Sequence, residues 1–457
     1  VAAANFLAIA HGRLDEHAEA EKVLLKALEI EPNSVPVLLN LANTQARSRK
    51  FDKAIENLER VLAVQPNNVK ALGMITSLEL TLQRPERTRE RVNNVLANEP
   101  DPSAELLLLD ARVKRSFGEF SAAAEVFKRL IERHGSRIEW RRDLARSYFQ
   151  AEQNQQAIQV LTEITATNDA RPSDFIQLAQ VYEAARDRRG AKEAVRDALD
   201  LSPAYPLARL LDVKYLLFDQ EVTVARERFD KLMADSPNRE LPELMSVEGA
   251  ILMLEGKVVE SITRFERVYE LEPTGQRAID VAKAYASNGQ PNKALNVLET
   301  RLNNNPQENN VKFVLADAHW KTGSTQKAVE HYRELLANQP SNPIILNNLA
   351  AVLTESAPAQ ALEYIERAYE QAPNAPSVLD TYAGLLISQN QFDRAKQMIN
   401  KALEIAPGDN SVLFRNLQLL IQLGEYRAAE PIFKKIDAAE LTDDQRAQLK
   451  TIAQALD

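Results

Sequence analysis

Cysteine is absent from this chain of 457 residues. That excludes disulfides, thiolate metal sites and a cysteine nucleophile, but leaves the compartment open, because a periplasmic protein can equally lack cysteine. Glycine is scarce, at 13 residues, and no GxGxxG or GxxxxGKS/T pattern gathers it into a phosphate-binding loop. No GxSxG elbow occurs. The five histidines, His11, His17, His134, His319 and His331, are scattered, without HExxH or a pair at ligand spacing. No run approaches the roughly 18 apolar residues that span a bilayer; the densest, Leu106 to Leu109, is far too short. Positive charge is not in excess either. A net charge of −9 argues against a general nucleic-acid binder, whose surface is usually basic. We therefore expect no catalytic residues, no cofactor, no metal and no nucleic-acid partner. The chain begins at Val1, with neither Met nor a signal peptide. It reads as a mature or trimmed piece of something longer, with any targeting or lipid-anchor signal outside it.

What the chain does have is helix formers and a period. Apolar residues make up 45% and charged residues 26%, ordinary for a folded protein; Ala, Leu, Glu, Lys, Arg and Gln dominate and favour helices. Pro32, Pro66 and Pro100 stand 34 residues apart, and the step recurs from Pro203 to Pro237, Pro306 to Pro340 and Pro373 to Pro407. Most close a helical segment such as ALEIEP (Ala27 to Pro32), where proline cannot continue the helix. Twelve residues earlier runs a ladder of small residues: Ala20, Ala54, Thr88, Ala122, Ala157, Ala191, Ala225, Ser261, Ala294, Ala328, Ala361, Ala395 and Ala429. Four residues after each comes a bulky apolar one: Leu24, Leu58, Val92, Val126, Leu161, Val195, Phe229, Phe265, Leu298, Tyr332, Ile365, Ile399 and Phe433. Twelve residues before the ladder stand pairs such as Leu41-Ala42, Leu144-Ala145 and Leu315-Ala316. The pattern implies two antiparallel helices per unit. Small residues let the backbones approach, a larger residue one turn on fills the space beside them, and neighbouring units stack to bury the remaining apolar face.

This spacing resembles the tetratricopeptide repeat (TPR): Leu-small-x-x-Tyr in helix A, Ala-x-x-x-bulky in helix B, then Pro. The resemblance covers residues 1 to 443. It implies an all-α, right-handed superhelical solenoid of about thirteen helix-turn-helix repeats, with residues 444–457 as a C-terminal capping helix. Departures are local. The early Trp of helix A is generally missing, repeats four and five end in His134-Gly135 and Asn168-Asp169 without proline, and the Glu355 to Ala359 turn is tight.

In TPR arrays the A helices line a concave groove, so the resemblance assigns candidate partner-binding residues. Repeats four and five place Lys114, Arg115, Arg142 and Arg146 there. These either hold an acidic segment or a sugar carboxylate, or pair internally with Asp110, Glu139, Asp143 or Glu152. Further along, Ile176, Leu210, Leu217, Phe218, Met253 and Leu254, then Phe313 and Trp320, make the groove apolar. That lining suits an amphipathic helix or extended peptide, unless tight packing buries it. The Asn and basic clamp by which some TPR modules grip a carboxylate tail is matched only by Asn40 and Lys70; Asn5, Ile9 and Met74 depart from it, and no tail adaptor is expected. The expected function is a non-catalytic scaffold for protein or peptide partners. Among TPR proteins the texture resembles bacterial periplasmic TPR lipoproteins that accompany PEP-CTERM sorting and exopolysaccharide export. This implies a periplasmic, outer-membrane-attached protein. The rival reading is a TPR region of a larger cytoplasmic enzyme such as a glycosyltransferase.

Overall fold

A computed structural model describes residues 1–438, 441 and 443–456. Helices fill it, and no strand occurs among the described residues. Two compact units divide the chain, Val1–Leu232 and Met233–Asp457.

The first unit pairs α1 (Ala2–Arg13) with α2 (His17–Ile30), α3 (Val35–Arg47) with α4 (Phe51–Val64) and α5 (Val69–Thr81) with α6 (Pro85–Ala97). It continues with α7 (Ala104–Ser116) and α8 (Phe120–His134), α9 (Ile138–Gln150) and α10 (Asn154–Thr165), and α11 (Pro172–Ala184) and α12 (Arg188–Leu201), ending on α13 (Pro206–Phe218) and α14 (Val222–Asp235). The second unit holds six further pairs. They are α15 (Pro242–Leu254) and α16 (Val258–Leu271), α17 (Gly275–Ser287) and α18 (Pro291–Asn304), α19 (Asn309–Lys321) and α20 (Thr325–Asn338), α21 (Pro343–Leu353) and α22 (Pro358–Gln371), α23 (Pro376–Ser388) and α24 (Phe392–Ile405), and α25 (Asn410–Gln422) and α26 (Tyr426–Phe433). Helix α27 (Asp443–Leu456) follows. Each unit is a solenoid of helical hairpins.

The ladder explains the hairpins. All of its members but Ala122 occupy the fourth position of every second helix, and nearly all of these have no exposed surface. There the paired backbones are closest: the Ser261 hydroxyl donates to the Gly249 carbonyl across the pair at 2.8 Å. Thr88, the other polar rung, is buried and donates to the Glu79 carboxylate at 2.9 Å. Repeat four corrects the expected register. The rung is Ala123, fully buried, and its partner one turn on is Phe127; Ala122 and Val126 are only half-buried. The N–H of Ala123 bonds the Glu119 carbonyl just before the helix, as that of Ala54 bonds Lys50 and that of Ala157 bonds Gln153.

Within each pair the chain reverses through a shared cap. At the end of α5, the Gln83 N–H bonds the Leu80 carbonyl and the Arg84 N–H bonds the Glu79 carbonyl, a Schellman arrangement that needs a left-handed residue. Arg84 is also the N-cap of α6, so one turn ends one helix and starts the next. The left-handed residue is glycine at Gly118, Gly256, Gly289, Gly323 and Gly424, but Asp15, Arg49, Gln83, Glu152, Arg186, Gln220 and Asn390 hold the same conformation elsewhere. The tight turn expected near Glu355 avoids it: α21 has 11 residues, and the Ala357 N–H reaches the Leu353 carbonyl. At the end of the second unit, Leu449 and Ile452 of α27 bury against Phe414, Leu417 and Leu420 of α25. Asp457, the last residue of the segment expected to cap the array, lies outside the described residues.

Candidate partner-binding grooves

In the first unit the exposed faces of the first helices of each pair form two adjoining clefts. One, of about 320 Å³, lies between α1 and α3 and is lined by Ile9, Gly12, Arg13, Asn40, Asn43 and Arg47 among others. The next, of about 470 Å³, crosses α3, α5 and α7, with Asn43, Lys70, Gly73, Met74, Ser77 and Arg112 on its walls. Asn43 belongs to both, so the clefts form one track. Asn40 donates to the Asn5 side chain at 2.8 Å, and the Thr44 hydroxyl donates to the Asn40 carbonyl. Arg13, Arg47, Lys70 and Arg112 are exposed. None makes an ion pair among the described residues, and no Asp or Glu lines either cleft. A protein of net charge −9 thus carries a local cationic trough. Sequence reasoning named Lys70 beside Asn40 as two matches to the carboxylate clamp and set the match aside, and it did not name Arg13, Arg47 or Arg112. A signal was present: Arg13 and Arg47 sit one repeat apart at matching helix ends.

In the second unit a larger cleft, of about 610 Å³, is bordered by α19, α21, α23 and α25. Trp320 forms one side, with Val352, Leu385 and Ala351 beside the polar Asp380 and Arg415. The Arg415 guanidinium pairs with Asp380 through two contacts, 3.0 and 3.3 Å, and donates to Gln418 at 3.0 Å. It lies where a side chain at Gly384 would be, 2.8 Å from an added Cβ; glycine there makes room for it. Its charge is answered by Asp380 within the wall, and Glu355 lines the cleft as well, beside Thr325, Thr354, Ser356 and Thr381, so this cleft is mixed in polarity and carries an extra carboxylate where the first is cationic.

Comparison with known proteins agrees with the hairpin stacking. Family models described as tetratricopeptide repeat match residues 1–34, 23–56, 115–180, 280–343, 313–376 and 352–413, more than half of the chain. The chain belongs to the tetratricopeptide repeat family. Such repeats form scaffolds that bind protein partners. Half of the chain is also similar to cellulose synthase operon protein C of Pseudomonas fluorescens (strain SBW25), 24% identical over 247 residues. The match spans 19% of that relative's length. A crystal structure of the APC/C hetero-tetramer Cut9-Hcn1 aligns with a TM-score of 0.45 at 14% identity, over 98% of this chain and 95% of that one.

The TPR groove residues expected from sequence fall into three environments. The basic set is internally paired. Lys114 bonds Asp110, and Arg115 and Arg146 both reach the Asp143 carboxylate, at 3.3 and 3.1 Å. Arg142 is buried inside the contact between α9 and α11. Its Nε and Nη2 donate to the two oxygens of Asp174 at 2.9 and 2.8 Å, Nη1 donates to Glu139, and Nη2 also donates to the Asp169 carbonyl. The hydrogen bond with Asp174 raises the guanidinium pKa further above its usual value. Ile176, Leu210 and Leu217 are buried between helices. Phe313 packs edge-on against Tyr332 and Met253 is half-buried. Phe218, Leu254 and Trp320 remain exposed, and the Arg188 guanidinium covers the Phe218 ring at 3.5 Å. Three apolar residues of the expected set are therefore open to a partner.

Among the described residues no group of three His, Asp or Glu is placed to hold a metal, and no helix is long and apolar enough to cross a membrane.

Proposed function

We propose that this TPR chain is a non-catalytic scaffold for protein partners in bacterial exopolysaccharide assembly or export. In this reading it works in the periplasm, attached to the outer membrane through a lipid anchor, with residues 1–443 as the binding array and 444–457 as its cap. The observation that carries the reading is the match of half the chain to cellulose synthase operon protein C. The two chemically different clefts support it, since a scaffold gains from separate places for separate partners. The test is affinity capture with the full chain from its native host, combined with deletion of the gene. The reading expects polysaccharide synthesis or export proteins among the partners, release of the protein with the envelope fraction, and less secreted polymer after deletion. A second reading is a TPR region of a larger cytoplasmic enzyme such as a glycosyltransferase. It is favoured by the match spanning only 19% of the relative's length. Cytoplasmic fractionation with secreted polymer unchanged would select it and refute the first.

A further inference from the structure

The cleft of the second unit is made by departures from the repeat pattern around it. The first helices α15, α17, α19, α23 and α25 have 13 residues each, whereas α21 has 11. The turn that follows α21, with Thr354, Glu355 and Ser356, opens on the cleft. On α23, Gly384 leaves space that the Arg415 guanidinium fills. Trp320 is the third departure. The other tryptophan, Trp140, is 6% exposed in the core, but Trp320 is 39% exposed at the end of α19. Its indole N–H has no hydrogen-bond partner among the described residues. It offers a flat apolar platform with a donor at its edge.

The polar groups beside it act mainly as acceptors. The Asp380 carboxylate is held by Arg415 at 3.0 and 3.3 Å, and each oxygen keeps a further lone pair. The Thr354 and Thr381 hydroxyls donate to the Ala350 and Ser377 carbonyls of their own helices, so their oxygens are left to accept. Glu355 has no ion-pair partner among the described residues. We propose that this cleft binds a short stretch of a neutral polysaccharide. One sugar ring lies on the Trp320 indole, and hydroxyls of the adjoining rings donate to Asp380, Thr381 and Glu355. The volume, about 610 Å³, falls within the range of about 300–1,000 Å³ for small-ligand sites. A uronic-acid polymer would bring carboxylates against Glu355 and Asp380, and Arg415, the one cation of the lining, is already paired. A peptide needs donors for its main-chain carbonyls, but no Asn or Gln lines the cleft and Arg415 is committed to Asp380 and Gln418. Sugar hydroxyls supply donors where the wall supplies acceptors. The proposal rests on the exopolysaccharide reading and extends it from protein partners to the polymer itself.

The probes are cellohexaose and maltohexaose, both neutral, the hexamer of galacturonic acid, and the neutral fraction of the polysaccharide secreted by the native host. The oligomers are titrated against the full chain by calorimetry, and the polymer is tested by affinity electrophoresis. A neutral probe should bind and shift the fluorescence of Trp320. Its affinity should be the same at about 0.1 M and about 1 M salt, because no ion pair forms. The galacturonate should not bind. Trp320→Ala should weaken binding at least about tenfold, while Trp320→Phe should keep most of it. Both variants should unfold at temperatures close to that of the parent, since the ring lies at the surface. Failure of every neutral probe, tighter binding of the galacturonate, or equal affinity of Trp320→Ala and the parent would overturn the proposal. Loss of a captured host protein in Trp320→Ala, with polymer binding unchanged, would overturn it in favour of a protein partner. If no sugar binds while the chain still captures polysaccharide synthesis or export proteins, this site falls and the scaffold reading stands. Trp320-dependent sugar binding, with secreted polymer unchanged after deletion of the gene, would instead uphold the site and sink that reading.

Discussion

Replacing Arg142 by alanine tests whether the repeats of the first unit are riveted by a buried ion pair. Arg142 and Asp174 are 8% and 3% exposed at the side chain, so the substitution leaves a carboxylate enclosed with its main partner gone. Breaking a buried pair in this way costs about 3–5 kcal/mol. Asp174 keeps one bond, from the Arg171 N–H at 2.9 Å, which places the expected loss toward the lower end. Arg146→Ala is the control. Its pair with Asp143 is 45% and 33% exposed, and such pairs contribute about 0–1 kcal/mol. The double change Arg142→Met with Asp174→Leu removes both charges together. It should recover most of the loss, short of about 1 kcal/mol for the cap that Asp174 gives α11. Solenoid contacts are nearest-neighbour, so the damage should be local. The assay is therefore hydrogen exchange resolved by peptide, alongside urea unfolding, with faster exchange confined to α9 through α11. If Arg142→Ala and Arg146→Ala shift unfolding equally, or if the double variant is as unstable as Arg142→Ala, the pair is not a rivet.

Three further outcomes follow from the packing. Ala123→Phe should destabilise repeat four by roughly 1–3 kcal/mol or more through overpacking, whereas Ala122→Phe, on a half-buried position, should cost clearly less; equal shifts in thermal unfolding would refute the corrected register. Arg49→Gly and Glu152→Gly, at left-handed backbone positions with φ of 57° and 59°, should each stabilise the protein by about 0.5–1 kcal/mol, and a loss of stability in urea titration would contradict the shared-cap account. His319 and His331 stack with ring centroids 5.7 Å apart, facing Glu299, Lys327, Lys312, Glu330 and Glu334, and burial lowers both pKa values below 6.5. The unfolded chain then binds more protons, so stability is complete above about pH 6.5 and falls as pH drops through the lowered values; a His319→Leu, His331→Leu variant should show a flatter dependence of thermal midpoint on acid pH, and an unchanged slope would count against the histidines.

The hairpins were legible because close backbone approach tolerates only small residues, and that demand recurs at a fixed interval. The register failed where the sequence offered no contrast. Ala122, Ala123 and Ala124 are three small residues in a row, and Val126 and Phe127 are both apolar, so spacing alone could not say which pair faces inward. The exposed aromatic Trp320 was found because family geometry places its position on the inner helix face. Ile176 and Leu210 hold positions of the same kind, yet neighbouring helices cover them, and pattern alone does not tell the two cases apart.

One set of charge pairs shares a spacing that only stacking reveals, while others, such as Glu21 with Lys50 and Asp143 with Arg115, join neighbouring repeats at other separations. Asp52 pairs with Arg84, Glu59 with Arg91, Asp101 with Arg133 and Glu139 with Arg171, each 32 residues on; Arg142 and Asp174 keep the same separation with the charges exchanged. A step slightly shorter than the repeat sets the two side chains across one interface between neighbours. At that offset in the sequence the open cations have no acid: Arg13 has Gln45, Lys70 has Leu38 and Pro102, and Arg112 has Leu80 and Leu144. Arg47 has Asp15 and Glu79 at the right distance, yet Glu79 is buried and held by Thr88 and Arg91, and the Asp15 carboxylate lies 3.7 Å from His17. The bases that look most like a binding wall in the sequence meet acids on their own helix, as Lys114 and Arg146 do, or from the next repeat, as Arg115 and Arg142 do, whereas Arg13, Arg47, Lys70 and Arg112 make no such pair among the described residues.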